Sequence, residues 1–560
     1  MVFKFKRVTM HYIICWWTMT VWLDYLIKGG LIIDGSGRPG FLGDVGIKDG
    51  RIVFVGKEAP RSAADVVVDA KGLIVTPGFI DSHSHTDETI LICPECENKL
   101  YQGITTEVVG NCGSSPAPIT KKSFSILLEY LEESYGTLPN IPWSWSTLNE
   151  FYSIVESRGI DTNLVPLVGH GTLRIAIKGM SADPLSKDEL DEMKALLEEA
   201  MREGAFGIST GLAYPPGEFA TMDEIIELCK VVSRYRGVYT THIRDEGSGV
   251  VDAVEEAIKV GAKAGIRVEI SHLKVMGKKN WGRSIEVIAL VNKARNEGIE
   301  VFGDVYPYTF GETSLTSFLP PWVHEGGLDK LISRLKNPKT RERILHDLKH
   351  GLPGWQNWLA DIGAGNVYIS ATGSKNKNYE GKTLAEIAKA MGKQPAEALL
   401  DIIEEERGVV MMFDISMSEE DLRNFIRQPW VSIGTDQMCH RPGHELLRNP
   451  HPRAYGTFPR VIRKYVMNER LIALEEAVRR MTSMPAVFFG LKKRGKIKVG
   501  YWADITVFDP KEITDVASMK NPEAFSRGIK YVFVNGIPAI WKGSATRVKA
   551  GKVLKKTTSN

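Results

Sequence analysis

Val238-Tyr239-Thr240-Thr241-His242, a helical pattern from about Val250 to Ala264, Val268-Glu269-Ile270-Ser271-His272, a second helical pattern from about Ile285 to Asn296, and Val301-Phe302-Gly303-Asp304-Val305-Tyr306: this run decides the fold. Its β-branched runs have strand length, and the segments between them repeat apolar residues at helical spacing. Strands alternating with helices at this interval predict parallel strands joined by helical crossovers. Each run also finishes on a residue capable of chemistry.

The same alternation continues upstream. Ser186 with Glu189 reads as a capping box opening a helix through Leu190, Met193, Leu197 and Met201, which stops at Gly204. Strand-like Phe206-Gly207-Ile208-Ser209 follows, and Thr221 with Glu224 reads as a second capping box. Functional-looking residues end nearly every strand, and no glycine-rich dinucleotide fingerprint follows the first. The α/β class is therefore read as a (β/α)8 TIM-type barrel rather than an open sheet. The expected strand ends are His85, Cys112, His170, Gly211, His242, His272, Tyr306 and Asp436.

Further outward the pattern changes. Short β-rich runs with glycine turns fill both chain ends, and neither has enough strands to stand alone, so residues 24–75 plus 496–553 are expected to pair into one small β-sandwich. The barrel is assigned 76–308 plus 411–495. The stretch 309–410 is far longer than a βα loop and reads as an inserted, lid-like subdomain between the last two barrel strands. Residues 1–23 are basic, then aromatic, in a run too short to span a bilayer. They are read as an extension, with the functional chain starting near Met19.

Composition narrows the function classes. A chain of 560 residues with 43% hydrophobic and 25% charged residues is ordinary for a globular protein, and a net charge of +3 gives no reason to expect nucleic acid or a membrane as partner. Six cysteines are too sparse for a secreted disulfide framework, so a cytoplasmic protein is expected, with the lone Cys93-Pro-Glu-Cys96 pair read as packed thiols.

The chemistry starts at Asp81-Ser82-His83-Ser84-His85. In a strand, residues two apart share a face, so both imidazoles can meet one metal ion. His242 and His272 end neighbouring strands, and Cys112 is presented among small residues in Gly110-Asn111-Cys112-Gly113. Imidazoles with a thiolate suit zinc. Asp436, ending Val431-Ser432-Ile433-Gly434-Thr435, is the carboxylate placed to act as general base and then general acid. His170 and Arg174 are as well explained by a structural ion pair as by a place at the mouth, and Lys492-Lys493-Arg494 reads as a charged helix end.

These residues, together with His242-Ile243-Arg244-Asp245-Glu246, Ser271-His272-Leu273-Lys274, Asp304-Val305-Tyr306-Pro307-Tyr308 and His451-Pro452-Arg453-Ala454-Tyr455, resemble the D-aminoacylases (N-acyl-D-amino-acid deacylases) of the amidohydrolase superfamily. The resemblance implies zinc-dependent hydrolysis of a small-molecule N-acyl-D-amino acid to a carboxylic acid and a D-amino acid. It implies a tight zinc on Cys112, His242 and His272, and a second, weaker site using His83, His85, Cys112 and Asp436. It further implies that Tyr308, Ser314 and Arg453 bind the substrate carboxylate and that Lys274 helps position the substrate. Gly434-Thr435-Asp436-Gln437 departs from the Ser-Asp-Gly expected there. The competing enzyme readings are a dihydroorotase, a hydantoinase or an isoaspartyl dipeptidase, which typically bridge metals with a carboxylated lysine where this chain has Cys112. A barrel that had lost its chemistry would lack a ligand or the aspartate.

Overall fold

Two parallel sheets hold the centre of the molecule. In the computed structural model, which describes residues 22–59, 64–135, 143–373, 377–444 and 449–557, strands Phe79–Asp81, Ile104–Val109 and Asn163–Pro166 form one of them. Val168–Gly169, Gly207–Gly211, Val238–His242, Arg267–Ile270, Val301–Val305 and Val431–Ile433 form the other. Leu167 alone separates the sheets along the chain, and its N–H donates to Val109 O at 2.8 Å. Their far edges also meet: Ser82 N donates to Ile433 O at 3.4 Å and Asp436 N to His83 O at 2.8 Å. Both faces of these strands are buried, which is why they read as apolar and small runs rather than as strict alternation.

The crossover helices form where capping and periodicity place them. Ser186 and Glu189 make the full capping box ahead of Lys187–Glu203, which buries Met193, Leu197, Ala200 and Met201 and ends on left-handed Gly204. Burying each of those methionines and the leucine is worth about 1.5–3 kcal/mol. Val250–Ala264 forms over the expected span, and the next helix covers Ser284–Asn296. The Thr221 box is only half made. Thr221 accepts from Glu224 N at 3.3 Å, but the Glu224 carboxylate turns inward to His170 Nε2 at 2.8 Å and Arg174 Nη1 at 2.6 Å. Two buried side chains outcompete one exposed backbone donor for this carboxylate, so His170 and Arg174 join Glu224 in a structural contact.

Both chain ends contribute to one nine-stranded sheet, joined where Ile74–Pro77 runs antiparallel to Ile505–Phe508. Ile27, Ile32, Val45, Ile505 and Phe533 pack together there. Tyr25-Leu26-Ile27 and Leu31-Ile32, which read as separate short runs, lie in one strand, Leu23–Ile32, whose register shifts between Ile27 and Gly30 around Gly29 at φ +74°. Arg494 is not a surface charge. It is buried, pairs with Asp504 and donates to Asn535 Oδ1 at 2.7 Å, because the turn before the terminal strands carries it inward.

Between the last two parallel strands the chain leaves to form a separate three-stranded sheet of Gly311–Ser314, Val410–Asp414 and Val367–Thr372, with helices that include Leu328–Lys336, Leu384–Met391 and Pro395–Glu405. Leu315, Phe318, Ile369, Leu399 and Met412 belong to its own apolar cluster. The returning strand Val410–Asp414 pairs here, beyond the expected limit at 410.

The start near Met19 lies outside the described residues. Among the described residues no helix is long and apolar enough to cross a membrane. The packed-thiol reading holds for buried Cys93 but not for Cys96, which forms a disulfide with Cys439 at a Cα separation of 5.1 Å. The two lie 343 residues apart, so no local spacing could announce the bond.

Candidate metal centre

Strand geometry brings the predicted donors to one end of the parallel sheets. His83 Nε2 lies 3.3 Å from Cys112 Sγ, His272 Nε2 lies 3.4 Å from the same sulfur, and His83 Nε2 lies 3.4 Å from Asp436 Oδ1. His83, Cys112, His272 and Asp436 each offer an atom within 4.8 Å of the others. His85 approaches Asp436 Oδ1 at 3.2 Å. His242 belongs to an adjoining group with Glu246 and His272, its ring centroid 4.4 Å from that of His272.

Three of these residues hold unusual backbone. Cys112, His272 and Asp436 have φ of 51°, 37° and 51°, in the left-handed region that costs a non-glycine residue about 1–2 kcal/mol. Each follows directly on a strand or its extension, and the reversal turns its side chain into the mouth. The turn at Cys112 needs bare neighbours: a Cβ on Gly211 would stand 2.2 Å from Cys112 O.

Carboxylates orient the rings. Asp304 Oδ2 lies 3.1 Å from His83 Nδ1, leaving Nε2 to face the sulfur. Glu246 Oε1 lies 3.1 Å from His272 Nδ1 and 2.6 Å from Lys274 Nζ, while its Oε2 lies 3.5 Å from His242 Nε2. Among the described residues His242 Nε2 is buried without a hydrogen-bond partner. An orphaned imidazole nitrogen beside a thiol, more imidazoles and a carboxylate is a donor set that fits a zinc-type ion.

The family model for the amidohydrolase family matches residues 66–344 and 378–540. The chain belongs to the amidohydrolase family. It is 35% identical to a D-aminoacylase of Alcaligenes xylosoxydans xylosoxydans, over 96% of this chain and 98% of that protein. An N-acyl-D-aspartate deacylase of the same organism is 34% identical, over 95% of each. A crystal structure of N-acyl-D-glutamate deacylase from Bordetella bronchiseptica, complexed with zinc and a phosphonate inhibitor that mimics the tetrahedral intermediate, matches with a TM-score of 0.78 at 32% identity, covering 95% of this chain and 99% of that one. Within the family, the chain is therefore one of the D-aminoacylases.

In this amidohydrolase His85, Cys112, His242 and His272 open onto a cavity of ≈ 100 Å³ that Lys274, Ser314, Asp436 and Arg453 also line. Arg453 is buried, with Nη1 3.0 Å from Asp436 Oδ2 and its guanidinium 4.5 Å from the Tyr306 ring centroid. Tyr308 is the exception among the predicted substrate contacts. Its hydroxyl donates to Pro452 O at 3.4 Å, and it lies outside the lining of this cavity, where Tyr306 stands instead. Tyr308 N donates to Tyr306 O at 3.0 Å, a one-residue turn about Pro307 that ends the strand's two-residue period.

Electrostatics divide the groups. Burial drives His242 and His272 well below the ordinary imidazole value and takes His85 down to about 4, so all three are neutral and able to coordinate. Burial also opposes charge on His83, but Asp304 and Cys112 outweigh it and raise that pKa well above the ordinary value. Burial works against ionised Asp436 too, yet Arg453 and the neighbouring histidines hold it well below the usual carboxylate range. Lys274 is kept charged by Glu246 against burial.

Proposed function

We propose that this amidohydrolase hydrolyses the amide bond of N-acyl-D-amino acids with zinc as its metal, releasing a carboxylic acid and a D-amino acid. One observation carries the reading: a single carboxylate joins the two halves of the site. Asp436 Oδ1 faces His83 and His85 at 3.4 and 3.2 Å, while Oδ2 faces Arg453 at 3.0 Å. Proton transfer is thereby placed between metal donors and the cation suited to a substrate carboxylate.

Cys112, His242 and His272 are assigned the tight zinc, with His83, His85, Cys112 and Asp436 available to a second, weaker one. Zinc, when bound, supplies Lewis acidity and a water acidic enough to ionise near neutral pH. Asp436 is the carboxylate that would take a proton from the attacking water and return it to the departing nitrogen. Arg453 grips the α-carboxylate with its planar fork, helped by Ser314 and, in place of Tyr308, by Tyr306. Lys274, fixed by Glu246, positions the acyl group. Holding the carboxylate and the scissile carbonyl at two fixed points admits one hand at Cα.

The two parallel sheets are read as arcs of one closed (β/α)8 barrel, with both chain ends forming the β-sandwich and the three-stranded insertion serving as a lid. We keep the cytoplasm as compartment, since one disulfide is not the framework of a secreted domain. The test is Asp436→Ala: the tightly held zinc is retained while hydrolysis of N-acetyl-D-amino acids is lost and N-acetyl-L-amino acids remain poor substrates. Near-full activity in that variant, or a preference for the L series, refutes the proposal.

A further inference from the structure

The family does not settle which side chain the substrate carries, since relatives of nearly equal identity are named for D-aspartate and D-glutamate as well as for D-amino acids in general. From the charges that line the cavity, and resting on the deacylase reading above, we propose that this chain takes N-acyl-D-amino acids with uncharged side chains and rejects the D-aspartyl and D-glutamyl ones.

A substrate of the acidic kind brings two carboxylates, and each needs a cation or a compensating donor wherever it is taken out of water. Among the described lining residues the lysine and arginine are Lys274 and Arg453, each already facing a carboxylate, and of the lining histidines His85, His242 and His272 are the metal-ligand candidates while His324 keeps a buried, unpartnered Nε2. Lys274 Nζ sits 2.6 Å from Glu246 Oε1 and 2.8 Å from His272 Nδ1. Arg453 stands on Asp436 at 3.0 Å and is assigned the α-carboxylate. His324 Nδ1 lies 3.6 Å from Glu133 Oε1.

Two more lining carboxylates, Glu312 and Asp414, have no lining cation left over among the described residues. Burial pushes Glu312 up to about 7 and Asp414 up to about 6, as expected where carboxylates exceed the charge available to balance them. Even with a zinc ion added to Lys274 and Arg453, the lining offers fewer positive charges than the negative ones that the Cys112 thiolate and the carboxylates of Glu133, Glu246, Glu312, Asp414 and Asp436 can supply together. Meanwhile Tyr130, Met276, Trp358 and Met411 give the wall an apolar surface for a neutral side chain.

The test uses the zinc-loaded full chain and two pairs that differ in charge and hardly in shape: N-acetyl-D-glutamine against N-acetyl-D-glutamate, and the asparagine pair likewise, with N-acetyl-D-methionine as reference. We expect kcat/KM for each amide to exceed that of its acid at least tenfold, about 1.4 kcal/mol. Methionine should be at least as good as either amide. Calorimetric binding of the free products D-glutamine and D-glutamate should give the same order without turnover. An acid hydrolysed or bound as well as its amide overturns the inference while leaving the deacylase reading intact. No hydrolysis of any D-substrate overturns both.

Discussion

Lys99 tests the architecture beneath the site. Its ammonium is fully buried and lies within hydrogen-bond distance of Thr435 Oγ1 at 2.7 Å, Asp81 Oδ2 at 2.8 Å, the Gln437 carbonyl at 2.8 Å and Ser84 Oγ at 3.1 Å, with Glu107 Oε2 3.2 Å away. One cation therefore serves two carboxylates that are themselves fully buried. Lys99→Met keeps the stem and removes the charge, leaving Asp81 and Glu107 facing each other. Breaking a buried pair this way costs about 3–5 kcal/mol. Part of that returns if Asp81 takes up a proton, a tendency burial already promotes by raising its pKa. The loss should also reach the chemistry, because Asp81 holds Thr435 through its N–H at 2.8 Å and its Oγ1 at 2.6 Å, one residue before Asp436. Urea unfolding of the variant should show about 3 kcal/mol or more lost, with kcat lowered. Adding Glu107→Gln removes one of the stranded charges and should restore about 1 kcal/mol or more. A Lys99→Met protein within about 1 kcal/mol of wild type with full activity would refute the reasoning.

Arg453→Lys replaces a planar fork with a point charge, so steady-state kinetics on an N-acetyl-D-amino acid should show KM rising about 10- to 100-fold, with kcat less affected. Asp414 is buried and its pKa stands near 6 instead of 3.8. Between those values the folded state keeps a proton that the unfolded state gives up, so stability falls as pH rises through the window and the penalty is complete above it. That penalty is up to about 3 kcal/mol, so Asp414→Asn should be more stable than wild type in urea at pH 8 and nearly equal to it at pH 4. Cys112 at φ 51° predicts an inverted order of small substitutions: Cys112→Gly should be more stable than Cys112→Ala by about 0.5–1 kcal/mol, the reverse of ordinary strand and helix positions.

The residues legible in the sequence share a physical cause. A parallel strand buried on both faces must be apolar until it ends, so a histidine, cysteine or aspartate at its end or just past it stands out against the run before it. Cys112, His242, His272 and Asp436 were visible for that reason, and His83 and His85 through the two-residue period. Lys99, Asp304 and Glu246 play supporting parts that no local pattern reveals, because each is defined by a partner far along the chain: Lys99 by Thr435 and Asp304 by His83, 336 and 221 residues away. Glu246 lay within a quoted motif but carried no role until the fold set it between His242, His272 and Lys274. Tyr308 was named through the resemblance alone, and the turn at Pro307 puts Tyr306 in the cavity lining while the Tyr308 hydroxyl donates to Pro452 O. The functional consequence follows from the same distinction. Strand ends specify which atoms meet, while long-range polar contacts specify their orientation, and Asp436 depends on both. Its position after Val431–Ile433 brings it to the mouth, but Arg453, His85 and the Asp81–Lys99 network beneath Thr435 determine which oxygen faces the histidines and which faces the guanidinium.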